Sequence, residues 1–505
     1  MIQRSWRLFL LPWRSATPQS NRFEVPITDR PQPRNPGLAA FLSFLFPGLG
    51  QAYVGARRMA LLFAVPALVL VVPLAAIRLG WVGGLGNELL SAGFLRAALV
   101  INFALMAWRL AAIAGAGLTA RPSVRSGDAA HRGVSVGLIG VLLVTTVGMH
   151  AWAGVLITRL DTTLGNVFVG ERPGASGAPG GGPVNQPSYR WDGTQRISFL
   201  LLGIDSGPGR TEALTDTILV VSIDPVARTA VMISVPRDTG FVPLPDRSVY
   251  RSGVYPNKIN QLSTDAQADP ARWCPDLPAA TKTCGLRTLE RAIGLYLGIP
   301  IEYQASVDLQ GFADLIDAIG GVTLCLDGKM VDPEYGGPTW HGTGIVLPAG
   351  CGTYDGAHAL AYARIRKGWI ERSDGTRQYQ NDFMRADRQQ RVLLELRTKI
   401  ARADLVFELP SILTAVGNAV ETDFPRALAG DLASLLPLVT GPEIKRVVLS
   451  YPDFAGPPTN PQVNYLLIPR REEVRAEMHR LFGSELQGWY LGSTASGPPP
   501  AVPGS

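Results

Sequence analysis

Charge is scarce in this chain. Asp, Glu, Lys and Arg make up 17% of 505 residues against 46% hydrophobic ones, with a mean hydropathy of +0.14. That balance excludes disorder throughout and a coiled coil, both of which need dense charge. Cysteine is rare as well, with 4 residues, and a chain of 505 residues is too long to be a small scaffold held together by disulfides or zinc. There is no CxxC pair, and His341, His358 and His479 stand at no ligand-like spacing, so zinc is not expected. Where chemistry would sit, a Walker loop, a Ser nucleophile elbow and an HExxH motif are missing. Glycine and proline are plentiful but follow no triplet period, which excludes collagen, and no longer repeat is evident.

What is present divides the chain in two. Met59 to Ile77 has no charged side chain, and Val134 to Ile157 has only His150 as a titratable group. Each approaches or exceeds the roughly 20 residues that a bilayer crossing requires. Ala97 to Leu118 is a third span, interrupted by Arg109, which should snorkel or face a helix bundle. Gly37 to Val54 contains the broken run Phe46-Pro47-Gly48-Leu49-Gly50 and reads as re-entrant, interfacial or a strained crossing. Arginines cluster in 1–36, at Arg57 and Arg58, and at Arg121, Arg125 and Arg132. Retained inside, they place everything after Ile157 on the extracytoplasmic face. No cleaved signal peptide is expected. The reading is a basic cytoplasmic N-terminus (1–36), a multi-pass plasma-membrane region of three to four apolar segments (37–157), and a Gly/Pro-rich tether (158–196).

The exported part, 197–483 followed by a disordered tail over 484–505, carries the chemistry. Ile197 to Ile204, Thr217 to Ile223 and Ala230 to Val235 are nearly continuous apolar runs, as in strands buried on both faces. Leu286 to Leu297, Leu309 to Ile319 and Asp387 to Leu405 have helical periodicity. The fold class is therefore α/β, an α-β-α layered domain on a central mixed sheet. Cys274, Cys284, Cys325 and Cys351 all lie here, which suits disulfides in an oxidising compartment. Of three pairings, Cys274–Cys284 and Cys325–Cys351 is preferred, because both loops read as surface-exposed.

Charges sit at the ends of the apolar strands. Asp205 ends the first, Asp216 precedes the second, and Pro236-Arg237-Asp238-Thr239 ends the third, so one sheet edge gathers them. Paired carboxylates suit a hard divalent cation, and a guanidinium fork grips phosphate oxygens. Asn257-Lys258-Ile259-Asn260 follows. Then comes Arg364-x-Arg366, read as a strand with both side chains on one face, and Arg385-x-x-Arg388-Gln389, whose spacing puts three groups on one side of a helix N-terminus. These residues describe an exported, metal-assisted anion-binding domain.

At these residues the sequence resembles the LytR-CpsA-Psr (LCP) family. The matching segments are FLLLGIDSGPGRTEALTDTILVVSID, ISVPRDT, NKIN, VDLQGFADLIDAIGGV, LPAGCGTYDGAHALAYARIRK and MRADRQQ, in the family's order. The resemblance implies a phosphotransferase that moves a glycopolymer from an undecaprenyl-pyrophosphate carrier to peptidoglycan in envelope biogenesis. It makes Asp205 and Asp216 ligands of Mg²⁺, or of Mn²⁺ in its place. Arg237, Lys258, Arg364, Arg366, Arg385 and Gln389 become the pyrophosphate set, with Asp216, Arg237, Arg364 and Arg366 catalytic. The segment from Gly368 to Asp382 lengthens the connection between the last two motifs, and Met384 stands where a Gly is common.

The implied partners are the lipid-linked glycan, peptidoglycan and the membrane, with no nucleic acid. An apolar slot for the lipid is sought on the face of Leu309, Phe312 and Ile316, which reads equally as ordinary core. Two other classes use the same residues: a pyrophosphatase passing the phosphoryl group to water, and a non-catalytic receptor for lipid-linked glycans.

Overall fold

The computed structural model describes residues 34–78, 88–120, 129–169, 191, 194–205, 214–277, 283–336, 343–400, 409–435, 444–457 and 465–483. Most of the basic N-terminus and of the Gly/Pro tract, the Arg121 and Arg125 positions, and the tail over 484–505 lie outside the described residues. The chain forms two compact units, one from 1–72 with 106–147 and the other from 73–105 with 148–505.

In the first unit, α1 (Pro36–Leu45) starts where the Asn35 side chain accepts the Leu38 N–H at 3.1 Å. It stops at the Pro47-Gly48 break. Gly48 has φ +101°, and a Cβ there would meet Ala60 O at 2.4 Å. The broken apolar run thus becomes two short helices, with α2 (Leu49–Tyr53) folded back and α3 (Arg57–Arg78) following. Polar groups tie α4 (Ala92–Thr119) to the first two: Arg109 Nη2 donates to Phe44 O at 2.8 Å, and Gln51 Nε2 to Ala112 O at 2.7 Å. Arg109 therefore faces the bundle, as one of its two expected placements required. Among the described residues two helices, α4 and α5 (Ala129–Val167), are long and apolar enough to cross a membrane. The Met59 to Ile77 segment is helical within α3, but the surroundings of its side chains from 70 onward lie outside the described residues.

In the second unit, α5 corrects the expected tether. The helix continues past Ile157 to Val167, because its apolar and Thr-bearing turns find partners on the domain. Thr163 Oγ1 donates to Leu413 O at 2.7 Å and Arg426 pairs with Asp161 at 2.5 Å. Phe168 bridges to Thr422 and packs in the cluster that buries Trp191 and Phe424. The chain is thus already seated on the domain before the Gly/Pro tract begins, and Trp191 brings it back to the same cluster.

The central sheet contains β1 (Ile197–Asp205), β2 (Leu214–Asp224), β3 (Thr229–Ser234), β4 (Tyr303–Asp308), β5 (Val420–Thr422) and β6 (Ile444–Val448), in the order β5-β4-β1-β2-β3-β6. β1 runs antiparallel to β2 and parallel to β4, and β3 runs parallel to β6, so the sheet is mixed as expected. Alternation along β1 sends Leu200 and Leu202 into one core with Ile259, Leu289 and Ile293, and Ile197 and Phe199 into the other with Tyr303 and Phe424. Helices α6 (Ile259–Ala268) and α7 (Cys284–Leu297) cover the first face.

A third cluster lies under α8 (Leu309–Ala318), α9 (Gly356–Arg364) and α10 (Asp382–Ile400). Ile316 is fully buried there with Phe312 against it, so the face considered for a lipid slot is core. Helix α10 starts before the expected Asp387 because the Asn381 side chain accepts the Met384 N–H at 3.0 Å. Arg364-x-Arg366 is not a strand. Asp355 caps an Ala-rich helix that runs through Arg364, and Ile365 ends it with ψ 130°. The lengthened segment folds as the hairpin Trp369–Glu371 with Arg377–Tyr379, added to a small sheet through Lys329–Asp332.

Both preferred disulfides are present, Cys274–Cys284 and Cys325–Cys351. Their setting differs from the expectation in one case: Cys274 and Cys284 are buried in the first core, whereas Cys325 and Cys351 face each other across an exposed strand pair.

Candidate active site

The site is built where β1 and β3 end and β2 begins. Asp205 pairs with Leu214 and Ile204 with Thr215, but Gly203 pairs with Thr217, so Asp216 is the extra residue of a β-bulge. A bulge breaks the alternation of the strand and re-aims the side chain it carries. Gly203 is required opposite: a Cβ there would meet Thr217 Cβ and Oγ1 at 2.8 Å. Just beyond β3, the Pro236–Thr239 turn is closed by Thr239 Oγ1 donating to Pro236 O at 2.7 Å. The first amides of α6 dock on that turn, Ile259 N–H to Thr239 O at 2.8 Å and Asn260 N–H to Arg237 O at 3.3 Å. Lys258, the N-cap of α6, and Arg237 are thereby held together.

Arg237 Nη1 donates to both oxygens of Asp216, at 2.9 and 3.0 Å, and its Nε lies 3.6 Å from Asp382 Oδ1. Asn260 Nδ2 approaches Asp216 Oδ1 at 3.4 Å. Lys258 Nζ pairs with Asp238 at 2.7 Å. Arg385, one turn into α10, reaches Asp216 O and Asp382 Oδ1, each at 3.1 Å. Its Nε is a buried donor with no hydrogen-bond acceptor among the described residues. Burial pushes the Asp216 carboxyl up, but Arg237 and Arg385 overcome it and hold the group below the ordinary carboxylate value. Burial also lowers Arg385, while the carboxylates around Arg237 outweigh its desolvation and raise it.

Asp205 is 2% exposed and pairs with Arg364 Nη2 at 3.2 Å. The phenol of Tyr335 stands beside that guanidinium; burial raises it and Arg364 opposes the shift. So Asp216, Arg237, Lys258 and Arg385 form one group, and Asp205 with Arg364 forms a second, at the end of the sheet where β1 stops and β2 starts. Arg366 is exposed and makes no ion pair or hydrogen bond among the described residues. Gln389 is half-buried, and its Nε2 lies 3.4 Å from Ala363 O. Arg388 shares the helix side expected of it, but its guanidinium is committed to the carbonyls of Tyr362 and Ile365.

Two participants escape sequence reasoning. Asp382 touches both Arg237 and Arg385; its signal was its place one turn before Arg385 at a helix start. Tyr335 had none, since it comes from a remote turn.

Among the described residues no three His, Cys, Asp or Glu side chains gather as a self-sufficient metal site. Asp205 and Asp216 offer two carboxylates from neighbouring strands, which fits Mg²⁺, an ion commonly held by one or two carboxylates together with substrate phosphates.

Comparison with known proteins bears on this geometry. The LytR_cpsA_psr family model matches residues 181–459. The chain is 28% identical over 227 residues to a protein named polyisoprenyl-teichoic acid–peptidoglycan teichoic acid transferase TagU from Halalkalibacterium halodurans, covering 45% of this chain and 60% of that one. It is 29% identical over 291 residues to the cell wall biosynthesis protein LcpA of Corynebacterium glutamicum, covering 54% of this chain and 52% of that one. The match thus spans less than two thirds of either relative. Among solved structures, Bacillus subtilis TagV is 23% identical with a TM-score of 0.41, covering 57% of this chain and 97% of that one. With more than half its length matched and the strand-end residues gathered as described, the chain belongs to the LytR-CpsA-Psr family.

Proposed function

We propose that this protein transfers a glycopolymer from a polyprenyl-pyrophosphate carrier, undecaprenyl pyrophosphate, to peptidoglycan. An acceptor hydroxyl attacks the phosphorus that bears the glycan. The bond from that phosphorus to the bridging oxygen breaks, polyprenyl phosphate leaves, and the hydroxyl proton is released. Such a reaction asks for positioning and charge neutralisation more than for covalent catalysis.

The observation that carries the reading is the convergence of Arg237, Lys258, Arg364 and Arg385, from separate elements, at one end of the sheet. The names of the relatives point to the same chemistry. Each of the four cations already touches a carboxylate: Asp216, Asp238, Asp205 or Asp382. The bare cluster therefore has no surplus of positive charge for a pyrophosphate. Asp205 and Asp216 would hold Mg²⁺, and the ion would supply that charge. Arg237, Lys258, Arg364 and Arg385 then orient the phosphoryl oxygens, with Arg366 reaching from the exposed rim and Gln389 steadying the α9 end.

The N-terminal helices form a multi-pass anchor in the plasma membrane in this reading, with the domain on the extracytoplasmic side. Two disulfides suit that compartment.

The test uses the full chain in detergent with a synthetic polyprenyl-pyrophosphate glycan and peptidoglycan oligomers, with and without Mg²⁺, read by mass spectrometry. Glycan-tagged acceptor, dependent on Arg237, is the expected product. Released glycan phosphate without tagging assigns a hydrolase, and binding without turnover assigns a receptor.

A further inference from the structure

Arg388 was grouped with the anion-binding side chains by its helical spacing, yet none of its nitrogens faces outward for a ligand. It is 4% exposed. Its Nε donates to Tyr362 O at 2.7 Å, Nη2 to Ile365 O, and Nη1 to Oε1 of Gln380. These carbonyls lie at the C-terminus of α9, where a helix leaves its last acceptors unmatched. Gln389 approaches the carbonyl between them, Ala363 O, at 3.4 Å. Arg364 is the last residue of that helix. Gln380 is 7% exposed and belongs to the connection after the hairpin, its N–H donating to Gly368 O at 2.8 Å and its Nε2 to Gln378 O at 3.0 Å.

We infer that Arg388 and Gln380 are positioning residues that lock the end of α9, so that Arg364 is presented to the phosphoryl group at a fixed angle. The inference deepens the proposed function and rests on it in one respect: Arg364 must contact the anion. The lock has three acceptors on a planar fork. Lysine at 388 reaches only one of them and leaves the other carbonyls buried without donors. The hairpin, through Gln380, becomes part of the site's support although, among the described residues, it takes no part in the site's own ion pairs.

The test is a double-substitution cycle on the full chain in detergent, titrating inorganic pyrophosphate with Mg²⁺ by calorimetry. Arg364→Ala is expected to weaken binding about tenfold or more. Arg388→Lys is expected to weaken it about fivefold in the native background and by less than about twofold in the Arg364→Ala background. Equal losses in both backgrounds mean a general structural role and overturn the inference. Gln380→Ala, which removes one acceptor of Arg388 together with the Nε2 donor to Gln378 O and leaves the guanidinium in place, guards against a misfolded Arg388 variant and is expected to follow the same pattern more mildly.

A second readout is independent of the ligand. Amide hydrogen exchange over 362–368 should rise in Arg388→Lys and Gln380→Ala while exchange in β1 stays as it was. If pyrophosphate fails to bind the native protein but 362–368 loosens, the proposed function falls and the lock stands. If 362–368 exchanges as in the native protein, the lock is overturned whatever pyrophosphate does.

Discussion

Both carboxylate oxygens of Asp216 accept hydrogen bonds from one nitrogen, Nη1 of Arg237, at 2.9 and 3.0 Å. One residue is the extra member of a bulge and the other lies in the turn after the next strand, so the pair fastens two irregular segments across the sheet's end. Arg237 also faces Asp238 and Asp382, which makes it the common neighbour of three carboxylates.

Replacing Arg237 with Ala should therefore act on both rate and fold. Loss of a preorganised contact to developing charge costs on the order of a hundredfold in kcat. Leaving Asp216 without its main donor costs about 1–3 kcal/mol, read as a lower unfolding midpoint in denaturant. Arg237→Lys should keep more stability than activity, because an ammonium is a point charge and cannot reproduce the fork. Unchanged transfer in Arg237→Ala would remove this residue from the mechanism.

The depressed carboxyl of Asp216 predicts an acid dependence of stability. Its folded pKa lies below the unfolded one, so its contribution is complete above the ordinary carboxylate value near 3.9 and is lost as pH falls through the lower folded value. Unfolding midpoints measured from about pH 6 downward should fall less steeply in Asp216→Asn than in the native protein, with the difference appearing below about pH 4. Parallel curves would count against the ion pair.

Gly203→Ala tests the bulge without touching a charged group. The new Cβ would sit 2.8 Å from Thr217 Cβ and Oγ1, so β2 must shift where Asp216 is aimed. Overpacking of this kind costs about 1–3 kcal/mol. Transfer activity should drop in the protein that remains folded, and native activity at native stability would show that the close approach is not needed.

The two disulfides should differ in lability. Mild reductant followed by thiol labelling and peptide mass spectrometry should find Cys325 and Cys351 modified first, since their strand pair is exposed, with Cys274 and Cys284 protected in the core. Removing the buried bridge by paired Cys→Ser substitution should cost about 2–4 kcal/mol. Simultaneous labelling of all four would contradict the difference in burial.

The strands were legible because apolar runs with turn residues at both ends leave little else for the backbone to do. The same held for the gathering of Asp205, Asp216 and Arg237, which needs only the rule that strand ends meet at one edge. Arg364-x-Arg366 was misread: two arginines in alternation look like a strand, but the capping Asp355 and the alanines before them make a helix. The role of Arg388 was hidden for another reason. Spacing says which side of a helix a guanidinium occupies, not whether the carbonyls waiting there belong to the protein itself. The linker boundary failed because hydropathy marks where a helix stops being apolar, and α5 goes on to bury itself against another helix.

The seating of Phe168 and the return at Trp191 change what the Gly/Pro tract between them can govern. With Phe168 and Trp191 in one apolar cluster, the number of residues between them sets a closure entropy rather than a reach. Doubling that number costs only about 0.6 kcal/mol and moves neither end. Variation in the tract's length among variants of this chain is thus nearly neutral for where the domain stands, whereas inserting residues before Asp161 or Thr163 would break the register that seats the helix.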